Sequence, residues 1–241
     1  MRKASGIIPA RYESLRFPGK PLAPILGIPM IQRVYERAKQ AESLEKVIIA
    51  TDDQRIFDAS FSFGADVRMT SSGHRSGTSR VAEVAAQLDS PLIINIQGDE
   101  PLLHVSMIED LVQTLQDEAT HMATLAVKSN RLSDIEDQNI VKVVKDKEDF
   151  ALYFSRSPIP FNFEDYFWKH IGIYGYQRTF LLKFESLQET RLEKTEKLEQ
   201  LRALENGYRI KIVDTPHSVL SVDTPEDIIK VENFLREGLD D

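Results

Sequence analysis

The chain has 241 residues, with 30 Lys and Arg against 38 Asp and Glu, a formal net charge of −8, and no cysteine. The missing thiol excludes a disulfide scaffold, a thiolate nucleophile, a Cys-ligated zinc and an iron–sulfur cluster. Net acidity speaks against a nucleic-acid partner, and the lack of any apolar run approaching about 18 residues speaks against membrane insertion. At the N-terminus the apolar run Ile7-Ile8-Pro9-Ala10 is too short for a signal peptide, so the expectation is a soluble, cytoplasmic protein.

Along the chain, Ile7 and Ile8 predict a strand that enters a loop rich in Pro, Gly, Arg and Lys. Met30, Ile31, Val34, Ala38 and Ala41 recur at helical spacing, and 47–50 is a strand ending in Thr51-Asp52-Asp53. A short helix from about 54 to Gly64, a strand at 67–69 and a helix through Val81, Val84, Ala85 and Leu88 follow. Leu92, Ile93, Ile94 and Ile96 form a near-continuous apolar run, as in a strand buried on both faces. Met107, Ile108, Leu111, Val112 and Leu115 predict the next helix. This alternation implies βαβ units and a mostly parallel sheet, hence the α/β class.

After about residue 120 the pattern becomes strand-rich, with strands predicted at 122–127, 140–144, 150–154 and 171–176. Leu198, Leu201 and Leu204 share one face of a helix predicted over 191–206; 208–213 is a strand and 225–235 a closing helix. No linker splits the chain, so the expectation is one domain over 1–241 with a smaller mixed-strand insertion near 128–176.

Charge is uneven. Residues 1–35 carry Arg2, Lys3, Arg11, Arg16, Lys20 and Arg33 against Glu13 alone, a net +5, which leaves −13 for the rest. In an open α/β sheet ligands bind beyond the carboxyl ends of the strands, and Arg11, Arg16 and Lys20 follow the first strand. Guanidinium and ammonium groups there suit a polyphosphate; solvated surface charge is the alternative. The chain has neither a Walker A loop nor GxGxxG, and HxH, HExxH and GxSxG are absent as well. Gln97-Gly98-Asp99-Glu100-Pro101 follows the buried strand, where Asp99 suits a hard cation and the tetrapeptide G-D-E-P also suits a plain turn. Thr224, Pro225, Glu226 and Asp227 make a helix start, which leaves Asp223 as a candidate second metal ligand. His170 precedes the strand at 171–176 and shares a face with Tyr174, a pairing more common in structural roles than in ligand binding. Glu193, Glu196, Glu199 and Gln200 fall on the polar side of the helix over 191–206, where a solvated face is the ordinary reading.

Taken in order, the segments IIPARYESLRFPGKPL (7–22), ATDD (50–53), SGT (76–78), NIQGDEP (95–101), ALYFSRSPIP (151–160), KHIGIYGY (169–176), EKLEQLRALENG (196–207) and VDTPED (222–227) resemble the sugar-nucleotide cytidylyltransferases. Within them the chain is similar to the branch acting on Kdo-type sugar acids. The resemblance implies a Rossmann-like nucleotidyltransferase domain that joins CMP, from CTP, to the sugar acid. It implies that Arg11, Arg16 and Lys20 hold the triphosphate, that Ala10, Ser76, Arg80 and Gln97 define cytosine and ribose, and that Asp99 and Asp223 hold Mg²⁺. His170, Tyr174, Glu199, Gln200 and Gln97 would face the sugar, and a homodimer would form through the later strands. Arg16, Lys20, Asp99 and Asp223 are the implied catalytic set. Two departures bear on this. Ser79 stands where relatives commonly have an acid, and Phe161-Asn162-Phe163 lacks the cation that many carry after the Ile-Pro pair. The second widens the sugar acids to be considered to the 8-amino form.

Overall fold

The structure is a computed structural model and describes residues 2–13, 16–162 and 165–238. The chain forms two compact units, one from Met1–Glu109 with Val219–Asp241, the other Asp110–Ser218.

In the first unit Ile7, Ile8, Ile48, Ile49, Ile93 and Ile94 are fully buried, which is why their segments become the strands of a parallel sheet covered on both faces. Strand β1 (Ala4–Ala10) lies at its centre. It leads to a 3₁₀ turn (Lys20–Leu22), a small antiparallel hairpin of β2 (Pro24–Ile25) and β3 (Ile28–Pro29), and helix α1 (Met30–Ala38). Strand β4 (Leu44–Thr51), helix α2 (Gln54–Ser62), strand β5 (Asp66–Met69), helix α3 (Gly77–Ala85) and strand β6 (Leu92–Asn95) complete the run. β1 pairs in parallel with β4 on one side and β6 on the other, and β4 pairs in parallel with β5. Residues 96–104 lead into α4 (Val105–Thr114).

The second unit holds β7 (Met122–Ser129), α5 (Leu132–Glu136), β8 (Lys142–Lys145), β9 (Ala151–Ser155), β10 (Phe167–Gln177), α6 (Arg178–Ser186), α7 (Arg191–Glu196), α8 (Leu201–Glu205) and β11 (Lys211–Asp214). β7 pairs in parallel with β11 and antiparallel with β10; β8 pairs antiparallel with both β10 and β9. Buried Lys142 ties these strands to their loops, because its ammonium donates to the carbonyls of Asp137, Ile140 and Arg156 and all three of its protons are used. The chain returns to the first unit and ends in α9 (Pro225–Arg236), where the Asp227 carboxylate accepts from the amide and hydroxyl of Thr224.

The α/β class and the mostly parallel sheet agree with the sequence reading, and three details correct it. The helix expected over 191–206 is two short ones, because Lys197 adopts a left-handed conformation at φ 55° after α7. Glu199 and Gln200 therefore lie in the turn before α8. His170 lies inside β10, which begins at Phe167. Helix α6 was not foreseen, since it follows β10 with no side-chain cap at Gln177.

Candidate active site

The first unit gathers its candidate residues at the carboxyl end of the parallel sheet. Ala10 closes β1 and is buried, with Arg11 exposed directly after it. The loop that follows is fastened by Gly19 N–H donating to Tyr12 O at 2.8 Å, and the Arg55 guanidinium lies 3.2 Å from the centre of the Tyr12 ring. Past β6 the chain presses Gly98 against β1. A Cβ on Gly98 would stand 3.0 Å from Pro9 O, so a side chain there would push the 97–99 segment off the strand.

That approach brings Asp99 to Lys20. The Lys20 Nζ donates to Asp99 Oδ2 at 2.6 Å and to Val222 O at 2.8 Å, and lies 3.6 Å from Asp223 Oδ1. Arg16 donates to the same Asp223 oxygen at 2.9 Å. Asp223 is held by its own backbone, whose N–H donates to Asp227 Oδ2 at 3.1 Å, while Val222 N–H donates to Asp99 O at 2.9 Å. Beneath, Ile25, Met30, Leu102, Val222 and Val231 form an apolar cluster that fixes the turn before α9. Four of the predicted residues, Arg16, Lys20, Asp99 and Asp223, thus meet as two cations on two carboxylates. The solvated reading does not hold for Lys20, whose side chain is only 15% exposed.

Ser76 is the N-cap of α3 and accepts from Ser79 N–H at 3.1 Å. Arg80 is buried, with its guanidinium on Asp52 Oδ2 at 2.8 Å and on the Thr70 hydroxyl. It binds α3 to the ends of β4 and β5. Gln97 donates to Asn95 Oδ1 at 3.3 Å. Asp52 was legible in ATDD as a strand-end acid and Asn95 only as the first residue of NIQGDEP, whereas Thr70 carried no signal.

In the second unit His170, Tyr174 and the 199–200 turn hold the remaining candidates. The His170 and Tyr174 rings lie 5.5 Å apart, and Phe154 meets His170 edge-on at 5.1 Å. The Thr124 hydroxyl has its one proton for the carbonyls of Ile171 and Ile173. It therefore accepts from His170 Nε2–H at 3.0 Å, which leaves Nδ1 as an acceptor. Burial pushes the His170 pKa down to about 3, so the ring is neutral at pH 7. Tyr174 is pushed upward by burial and then by the Glu199 charge, and stays a protonated donor. Gln200 is buried, and its Nε2 has no hydrogen-bond partner among the described residues. An orphan amide of this kind is costly unless a ligand satisfies it.

The polar face read as solvated around 193–200 is corrected here. Glu193 is buried and accepts from Arg202 Nε at 2.9 Å. Glu196 accepts from the Ser155 hydroxyl at 2.8 Å and from Arg156 N–H at 3.0 Å, which ties the end of α7 to β9 and sets the stretch that leads to Glu199 and Gln200. In the loop lacking the expected cation, Phe161 is exposed; Phe163 lies outside the described residues.

Among the described residues no group of three or more His, Cys, Asp or Glu could hold a metal, and no helix is long and apolar enough to cross a membrane. Two carboxylates around one ammonium are still a fitting donor set for Mg²⁺, which takes one or two carboxylates plus substrate phosphates.

Comparison with known proteins identifies the family. A family model described as cytidylyltransferase matches residues 5–212. The 3-deoxy-manno-octulosonate cytidylyltransferase of Geotalea uraniireducens is 49% identical over 251 residues, covering 98% of this chain and 100% of that protein. That of Fusobacterium nucleatum is 49% identical over 240 residues and 98% of each. A solved structure of CMP:2-keto-3-deoxy-manno-octonic acid synthetase complexed with CTP superposes with a TM-score of 0.94 at 41% identity, over 98% of this chain and 99% of that one. At 15% identity and a TM-score of 0.66, the 4-diphosphocytidyl-2C-methyl-D-erythritol synthase of Anaerococcus prevotii shares the fold. At 49% identity to both curated relatives over nearly its whole length, the chain belongs to the 3-deoxy-manno-octulosonate cytidylyltransferase family.

Proposed function

We propose that the protein transfers CMP from CTP to the anomeric 2-hydroxyl of Kdo, giving CMP-Kdo and pyrophosphate for lipopolysaccharide biosynthesis. The observation that carries the reading is the cluster of Arg16, Lys20, Asp99 and Asp223 at the strand ends, two cations and two carboxylates around one point. In the reaction the sugar hydroxyl oxygen bonds to the α-phosphorus, the bond from that phosphorus to the bridging oxygen breaks, and the hydroxyl proton is released. Both reactants are anions, so neutralising charge is the main task.

In this reading Arg11, Arg16 and Lys20 take the triphosphate. The two cations that face carboxylates in the free protein turn to the β- and γ-phosphates, where the leaving pyrophosphate gathers charge. Asp99 and Asp223 would hold Mg²⁺, which when bound would supply Lewis-acid stabilisation of the phosphate charge. Ala10, Ser76, Arg80 and Gln97 receive cytosine and ribose, with Arg80 acting through the position of α3. The sugar acid is read onto His170, Tyr174, Glu199 and Gln200 of the second unit. Neutral His170 offers Nδ1 to a sugar hydroxyl, Tyr174 donates, and Gln200 Nε2 gains the partner it otherwise lacks. In this reading the enzyme works in the cytoplasm, where CTP is available. A homodimer through the second unit would cover Leu152 and Phe161, both exposed in the single chain.

The test is pyrophosphate release from each of the four nucleoside triphosphates, with Kdo, 8-amino-Kdo and sialic acid offered in turn, with and without Mg²⁺. The reading expects release with CTP, Kdo and Mg²⁺ together. Release with sialic acid and not with Kdo, or with no acid at all, overturns it.

A further inference from the structure

Residues 70–76 link β5 to α3; Thr70 receives Arg80 and Ser76 caps α3, and the stretch between them has no role above. The segment is closely held. Thr70 N–H donates to Thr51 O at 2.9 Å, and Gly73 N–H donates to Ser71 Oγ at 3.1 Å. Glu83, seven residues beyond the α3 cap, grips the loop twice: it accepts from Ser71 N–H at 3.0 Å and is bonded to His74 Nε2. Burial acts against charge on Glu83, but His74 and the Ser71 amide outweigh it and hold the carboxyl below its ordinary range. Arg80, also on α3, reaches the Thr70 hydroxyl at the start of the same loop.

What the loop delivers is Ser76. Its hydroxyl caps α3, and the next residue, Gly77, lies so near Pro9 of β1 that a Cβ there would stand 3.3 Å from the Pro9 ring. The clamp between His74 and Glu83 therefore sets the segment that leads through Ser76 to Gly77, which lies against Pro9 of β1. His74 itself is partly buried against Glu83, with 19% of its side chain exposed.

We propose that His74, through its bond to Glu83, is a positioning residue for the nucleoside end of CTP. It holds residues 71–75 in the shape that presents Ser76 and the α3 N-terminus, and it need not touch the nucleotide. The inference rests on the reading that this corner receives cytosine and ribose. Without the clamp, each CTP that binds must order the loop itself, so the loss falls on CTP affinity and spares the chemical step.

The experiment is titration calorimetry with CTP and, as a separate probe, inorganic tripolyphosphate, on wild type, His74→Ala, His74→Gln and Glu83→Gln. In His74→Ala, CTP binding is expected to weaken about tenfold, tripolyphosphate binding to stay constant, and kcat at saturating CTP to stay within about twofold. His74→Gln retains an N–H donor for Glu83 and is expected to recover most of the loss. Unchanged CTP affinity in a folded His74→Ala overturns the proposal, as does a parallel fall for tripolyphosphate. Should His74→Ala fail to fold, Glu83→Gln makes the same distinction. Hydrogen exchange on wild type separates this from the underlying reading. If CTP does not slow exchange in residues 70–80, the nucleoside assignment falls and the proposal with it. If CTP protects them and His74→Ala binds normally, only the His74 proposal falls.

Discussion

Replacing Lys20 with Met tests the charge cluster in the free protein. The ammonium stands 2.6 Å from Asp99 and 3.6 Å from Asp223, so the facing carboxylate oxygens lie within about 6 Å of each other. Two unit charges at that distance repel by about 3 kcal/mol at an effective dielectric of 20 and by under about 1 kcal/mol in bulk water. Asp99 and Asp223 are about one-third exposed and Arg16 still neutralises Asp223, so the net cost is about 1–2 kcal/mol. For a chain of this size that lowers the melting temperature by about 2–8 °C in EDTA. The variant also leaves the carboxylates open to metal. If Mg²⁺ binds them with a Kd of about 1 mM, 10 mM Mg²⁺ returns about 1.4 kcal/mol, or about 3–6 °C. Wild type, whose ammonium occupies that place, moves by less than about 1 °C without nucleotide. Thermal melts in EDTA and in Mg²⁺ give both numbers. Equal melting temperatures in EDTA, with equal Mg²⁺ responses, would refute the reasoning.

Three further outcomes follow from the same geometry. Asp99→Asn and Asp223→Asn should each lower turnover at least a hundredfold while far-UV circular dichroism stays native; near-wild-type turnover in either removes that residue from the catalytic set. His170 is neutral in the fold and charged in the unfolded chain between about pH 3 and 6.5, so the unfolded state binds the extra proton there and stability falls as pH drops through that window. The slope is at most about 1.4 kcal/mol per pH unit, and urea denaturation of His170→Gln should show it reduced. Gln200→Leu removes a buried donor that has no partner among the described residues, so the free protein should be as stable or more so by up to about 1 kcal/mol, while KM for the sugar acid rises at least tenfold; a destabilised variant with unchanged KM would contradict the assignment.

Much of the first unit was legible because its strands are buried on both faces and read as unbroken apolar runs, Ile48-Ile49-Ala50 and Leu92-Ile93-Ile94 among them. Strand-end placement then singled out Lys20 and Asp99. Their meeting with Asp223 had no local signal, since it depends on Gly98 closing onto Pro9 and on α9 returning from the far end of the chain. The break between α7 and α8 was hidden because a lysine, where a glycine is usual, takes the left-handed turn. Glu193 and Glu196 read as solvated for a related reason: the partners that bury them, Arg202 for one and Ser155 with Arg156 for the other, become neighbours only once the helix is broken and β9 is in place.

The central claim is transfer of CMP to a sugar hydroxyl, and ³¹P NMR of one reaction with CTP, Kdo, Mg²⁺ and the enzyme measures it directly. The account predicts that CTP signals are replaced by one phosphodiester and one pyrophosphate in equal amounts. Pyrophosphate accompanied by free CMP from the outset, or CTP left unchanged, would contradict it.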